Sequence, residues 1–179
     1  MRFVQKVGGV EVLGLGEKEM GDMKSIPVDE VVRLAEYFVG LDWPLSREQG
    51  YSACEALGWP GSGDGGFAMP YGLNMPEASV IVGKEEGGVT RIYFRVTDVQ
   101  REAPADERLE LNDLFVSYVD ALRAVLGRGK TKKSKEDHEA TWGTSNGSHI
   151  ELVNNWRTIR LYVFSPSCVE TLRCLDNAH

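Results

Sequence analysis

The chain has 179 residues, 42% hydrophobic and 26% charged, with a formal net charge of -7. This length and balance suit one globular domain that buries a core unaided, and they argue against a disordered chain. The negative charge disfavours nucleic acid and anionic membrane as partners and favours basic ones.

Residues 1–22, MRFVQKVGGVEVLGLGEKEMGD, are glycine-rich and stand apart from the rest of the chain. They read as an extra hairpin around Gly8-Gly9, since FVQKV and VEVLGL are strand-like. The other reading is a leader upstream of a true start at Met23, since codons for Glu17-Lys18-Glu19 can spell a purine-rich ribosome-binding site. Residues 23–179 are expected to form a single α+β domain.

In SIPVDEVVRLAEYFVG, Val31, Leu34, Ala35 and Phe38 recur at helical spacing, acids fill the first turn and Gly40 ends the helix. LDWPLSREQGYSACEALG opens a second helix, with Ser46 and Gln49 as a capping box and Gly58 as the stop. The stretch GWPGSGDGGFAMPYG, Gly58 to Gly72, has no periodicity and reads as loop. ASVIVGK and VTRIYFRVTDV read as strands joined by Glu85-Glu86-Gly87-Gly88. Ile92, Phe94 and Val96 alternate with Arg91, Arg95 and Thr97, so one face is buried and the other wet.

LELNDLFVSYVDALRAVLG is the strongest element, with an apolar stripe of Leu111, Leu114, Phe115, Tyr118, Leu122, Val125 and Leu126. A basic loop follows, then EATWGT, SHIELV and RTIRLYVF, linked by Asn146-Gly147 and Asn154-Asn155 turns. Ser165-Pro166, and Ser167 with Glu170, signal a short final helix. The order is α-α-β-β-α-β-β-β-α. Short links between consecutive strands predict an antiparallel sheet of about five strands with helices packed on one face.

The glycine-rich stretch is no phosphate cradle. It lacks the lysine and hydroxyl of a Walker loop, and a helix precedes it where a dinucleotide fold needs a strand. Gly143-Thr144-Ser145-Asn146-Gly147 matches a nucleophile elbow in letters only, because it lies between strands rather than before a helix. Asn146-Gly147-Ser148 is formally a glycosylation acceptor, in a chain with no export signal. His138, His149 and His179, with Cys54, Cys168 and Cys174, show no metal-ligand spacing, so neither cofactor nor metal is expected. The three cysteines cannot all pair within one chain and form no CxxC, which fits reduced thiols in the cytoplasm. No apolar run approaches the roughly 18 residues that cross a bilayer. The basic stretch GRGKTKKSK, Gly127 to Lys135, reads as a mobile solvated loop beyond a helix end, without aromatic residues for base stacking. Trp43, Trp59, Trp142 and Trp156 are expected to support the core or its rim.

LDWPLSREQGYSACEALGW, RVTDV, DLFVSYVDALRAVLG and TWGTSNGSHIELVNNWRTIRLYVFSP together resemble a family of small actinobacterial proteins of unassigned function. In that family Leu-(Asp/Glu)-Trp follows the first helix and Gly-Trp the second. Val-Thr-Asp ends a strand, Leu-Gly ends the long helix, and a Trp begins the last strands. The matching positions here are Trp43, Gly58-Trp59, Val96-Thr97-Asp98, Leu126-Gly127 and Trp142, within a likeness spanning Val28 to Leu172. The family's usual proline after Leu-Gly is replaced by Arg128-Gly129 and a longer basic loop. Its members are similar to immunity proteins encoded beside secreted polymorphic toxins, being small, acidic and without a catalytic constellation.

The resemblance and the charge together imply a non-enzymatic cytoplasmic binding protein that neutralises a cognate, basic toxin domain. Trp59, Asp64, Phe67, Tyr71, Glu85 and Glu86 are its candidate partner-binding residues, on a flexible anionic loop and a neighbouring turn. The alternative is a secretion-chaperone-like or adaptor module that binds a protein client, for which a homodimer stays open. An enzyme with an unrecognised site is the third reading.

Overall fold

The computed structural model describes residues 23–84, 87–102 and 104–177. The hairpin expected around Gly8-Gly9 and the Glu85-Glu86 pair lie outside the described residues. Within them are four helices: α1 (Val28–Val39), α2 (Arg47–Ala56), α3 (Ala105–Leu126) and α4 (Pro166–Asp176). Seven strands accompany them: β1 (Gly66–Ala68), β2 (Glu77–Val82), β3 (Val89–Arg95), β4 (Lys130–Lys133), β5 (His138–Gly143), β6 (His149–Asn154) and β7 (Ile159–Phe164).

The strands make one antiparallel sheet in the order β1-β2-β3-β7-β6-β5-β4. The α+β class is as expected, but the sheet has seven strands rather than about five. The two additional strands come from segments expected to be loop. β1 has only three residues and emerges from the glycine-rich stretch. β4 is Lys-Thr-Lys-Lys, exposed along its whole length, and forms the far edge of the sheet. Lysines on an edge strand deter pairing with another chain, and they leave no apolar alternation to betray a strand.

Alternation sets the core. Ile92 and Val163 pair across β3 and β7, as do Phe94 and Leu161. Ile150 and Leu152 of β6 continue the same face, and all six side chains have no solvent exposure. Onto this face α1 lays Val31, Leu34 and Phe38, while α3 lays Leu111, Phe115, Tyr118 and Leu122. Each such side chain contributes roughly 1.5–3 kcal/mol by leaving water. The Tyr118 hydroxyl donates to the Ile26 carbonyl at 2.6 Å, tying α3 to the segment before α1.

The capping box of α2 is present, with the Gln49 amide donating to Ser46 Oγ at 3.1 Å and the Ser46 amide donating to Gln49 Oε1 at 2.9 Å. At Gly50 the helix comes so close to the strands that a Cβ would stand 2.5 Å from Val89 Cγ2.

Two expectations about the last helix are corrected. Its N-cap is Ser165, which accepts from the Cys168 amide at 3.1 Å, with Pro166 opening the helix; Ser167 and Glu170 form no cap. Nor do all helices share one face. α4 packs on β3, and its Cys168 and Arg173 lie within electrostatic reach of Arg91 and His149 on the opposite side of the sheet. Val169 and Phe164 are buried there, outside the main core cluster.

Candidate functional site

The glycine-rich stretch is ordered by hydrogen bonds. Asp64 Oδ1 accepts from Ser62 Oγ and, at 3.1 Å, from the Gly66 amide. Those donors hold its carboxyl below the usual aspartate range. The Gly65 carbonyl accepts from the Val80 amide at 2.8 Å. At Gly65, φ is +96° and a Cβ would stand 2.7 Å from the Val80 carbonyl oxygen, so only glycine fits. The expected flexible loop is therefore a pinned turn that starts β1.

The candidate residues fall apart accordingly. Trp59 and Phe67 are 1% and 2% exposed, which corrects their place on a contact surface. Trp59 meets Phe94 edge-on at 5.7 Å, and Phe67 meets Tyr51 at 5.4 Å. Tyr71 is half-buried and donates to Glu30 Oε1 at 2.5 Å, while Glu30 also holds Arg33. Asp64 alone of the described four is exposed.

The short motifs each do structural work. Trp43 Nε1 donates to the Phe38 carbonyl at 2.8 Å, and Trp142 Nε1 donates to the Gly127 carbonyl at 3.0 Å. Thr97 Oγ1 accepts from the Ile159 amide at 3.0 Å. Asp98 accepts from the Lys24 and Asn74 amides at 2.9 and 2.8 Å. Ser145 sits exposed in the β5–β6 turn, and the His138 ring meets Phe115 at a tilt, 4.5 Å between ring centres. Among the described residues no cluster of His, Cys, Asp and Glu could hold a metal ion.

What periodicity left unread is the sheet face opposite α1, α2 and α3. α4 crosses one end of it; the rest meets no described helix. Its side chains form cross-strand rows. The row beneath α4 holds Arg91, Phe164 and His149. The middle row holds Ser79, Tyr93, Tyr162, Glu151, Thr141 and Lys130, and the last holds Arg95, Arg160, Val153, Glu139 and Lys132. Tyr162 stacks on Tyr93 at 5.5 Å and on Phe164 at 5.8 Å, and Arg91 lies 5.6 Å from the Tyr93 ring centre.

Two groups of charges on this face stand close to their own kind. Arg95 and Arg160 stand directly opposite one another, and the buried Nε of each has no hydrogen-bond partner. Burial, and then Arg160, hold the Arg95 guanidinium below its ordinary pKa. Two strands away, burial pushes the Glu151 carboxyl up to about 7, with Glu139 and Asp137 adding to the rise. Among the described residues the ion pairs are Glu30–Arg33 and Asp120–Arg123, so none of these five is neutralised by a salt bridge. The sequence signal was the alternation Arg-x-Tyr-x-Arg in β3 and Arg-x-Tyr in β7, which reads as an ordinary wet face.

Charge is also divided between layers. Helices α1, α2 and α3 carry ten Asp and Glu against four Arg, whereas the seven strands carry six Lys and Arg against three Glu. No helix among the described residues is long and apolar enough to cross a membrane.

No curated protein and no solved structure matches the chain. A family of unknown function, DUF6301, matches residues 29–165, from α1 to the end of β7. The matched span contains Trp43, Trp59, the Val96-Thr97-Asp98 run, Gly127 and Trp142, the residues that fasten the helices to the sheet. This chain belongs to that family of unknown function.

Proposed function

We propose that the protein is a non-enzymatic, immunity-type binding protein that neutralises a basic toxin domain in the cytoplasm. The observation that supports this reading is the acidic helical layer, with its ten acids against four arginines. A surface polarised in this way raises the encounter rate with a basic partner and orients it before contact. The test is co-expression with the product of the neighbouring gene. Co-purification and relief of that product's toxicity are expected, and both should weaken in rising salt. A neighbouring product that is harmless and does not bind would remove the proposal.

A second reading, a secretion-chaperone-like or adaptor module, draws on α4. Leu172 and Leu175 are 46% and 59% exposed on that helix, an apolar edge suited to a client segment.

A further inference from the structure

We infer that the helix-free face of the sheet is covered by the same face of a second copy of this chain, about a two-fold axis parallel to the strands between β7 and β6. This goes beyond the proposed function and does not depend on it.

The order of charges selects this arrangement. Glu77 stands one step beyond the Ala78–Phe94 pair and acts electrostatically on Arg95, so it continues the last row. Across the sheet that row reads Glu77, Arg95, Arg160, Val153, Glu139, Lys132. In signs this is minus, plus, plus, neutral, minus, plus. Reversed and laid over itself, as the stated axis requires, Glu77 meets Lys132, Arg95 meets Glu139, and Arg160 meets Val153. Every charge meets an opposite or a neutral side chain, and each contact occurs twice, as in an isologous interface. An axis across the strands would set Arg95 against Arg95 if it ran along this row and against Arg91 if it ran along the middle row, so the first axis is the one the charges allow.

The other rows agree with it. Tyr162 of one copy stands opposite Glu151 of the other, where its hydroxyl can donate to the carboxylate, and Tyr93 stands opposite Thr141. The half-buried Arg95 guanidinium, in no salt bridge among the described residues, gains a carboxylate acceptor at its open edge, its Nε being already enclosed within one chain. Such charge-assisted bonds are roughly twice as strong as neutral ones. At the end where α4 crosses, Leu172 and Leu175 continue the stripe that buried Val169 begins, and they remain exposed. The two rows clear of α4, across six strands about 4.8 Å apart, give a footprint on the order of 400 Å² before those leucines are added. That is about half of the roughly 800 Å² per partner found in stable complexes, at the weak end of specific association.

Sedimentation equilibrium on the purified chain tests the inference. The wild type is expected at twice its 19.8 kDa mass. R95E and E139R should each weaken self-association about 100-fold or more. The combined R95E/E139R swap should restore the dimer, because the two reversed charges again face each other. E77K, K132E and their combination repeat the test at the exposed ends of the row, where folding is not at stake. E48K on α2 serves as the control and should remain dimeric. Circular dichroism confirms that each variant is folded. A monomeric wild type overturns the inference, as does a swap that stays monomeric although both single variants fold. A monomer that binds a single-stranded oligothymidine through Tyr93 and Tyr162 overturns it too, and gives the face to nucleic acid instead.

Discussion

Asn146, at the tip of the β5–β6 hairpin, donates through Nδ2 to the Val39 carbonyl at the end of α1, 2.7 Å away. Its Oδ1 meanwhile accepts from Thr144 Oγ1 at 2.6 Å and from the Ser148 amide at 3.1 Å. One side chain thus shapes its own turn and fastens the sheet to the helical layer. Asn146→Asp keeps the acceptor and loses the donor, whereas Asn146→Ala loses both. Urea denaturation should rank them, with a loss of about 1 kcal/mol for Asp and about 2 kcal/mol for Ala. An Asp variant as stable as the wild type would mean that the bond to α1 contributes nothing.

Glu151 makes stability fall as pH rises. Its folded carboxyl titrates at about 7 against an ordinary 4.5. Between those values the folded state holds a proton that the unfolded state has released. The stabilisation is therefore complete below about pH 4.5 and is lost as pH climbs through about 7. Glu151→Gln should flatten this slope and gain about 1–2 kcal/mol near pH 8, a figure already reduced for the part of the group open to solvent. The check is denaturant midpoints across this range; an unchanged slope in the Gln variant would show that the carboxyl titrates normally.

Gly50→Ala sets helix propensity against space. In an open helix the change would gain roughly 0.8–1 kcal/mol. Here the new methyl would stand 2.5 Å from Val89 Cγ2 and 3.1 Å from Val80 Cγ1, and valines are stiff at χ1. Overpacking of this kind costs typically 1–3 kcal/mol, so a lower melting temperature is expected. A rise would show that α2 moves freely on the sheet.

Thiol chemistry should separate the three cysteines. Cys174 is exposed, Cys168 intermediate and Cys54 buried, and all are free. Burial pushes the Cys54 thiol up to about 12. A chromogenic disulfide reagent should label Cys174 quickly and Cys168 slowly, and it should reach Cys54 only on unfolding. Fast labelling of Cys54 in native protein would place α2 differently.

α1, α3 and five strands were legible because each carries a periodic apolar stripe, as Val31, Leu34 and Phe38 do in α1, whereas α2 and α4 were legible from their capping residues. β1 and β4 were illegible for opposite reasons. β1 is set by a backbone bond from the Val80 amide to the carbonyl of Gly65, just before it, that no side-chain pattern records, and β4 is an edge strand whose four residues are all exposed. Trp59 and Phe67 are buried where exposure was expected, because an aromatic residue beside glycines looks available, when here it fills the space that the turn leaves. The helix-free face could not be read at all. Arg95, Arg160, Glu139 and Glu151 come from four strands, and only the register makes them neighbours.

The strand order has a consequence for the path by which the chain folds. β1, β2 and β3 follow one another along the sheet, as do β7, β6, β5 and β4, so every pairing but one joins consecutive strands. The exception is β3 with β7, where Tyr93 must find Tyr162 across the length of α3 and a whole meander. Closing so long a loop costs entropy that short hairpins do not meet. The two meanders are expected to form before the seam between them, so substitutions at Tyr93 or Tyr162 should act mainly on how fast the finished sheet comes apart.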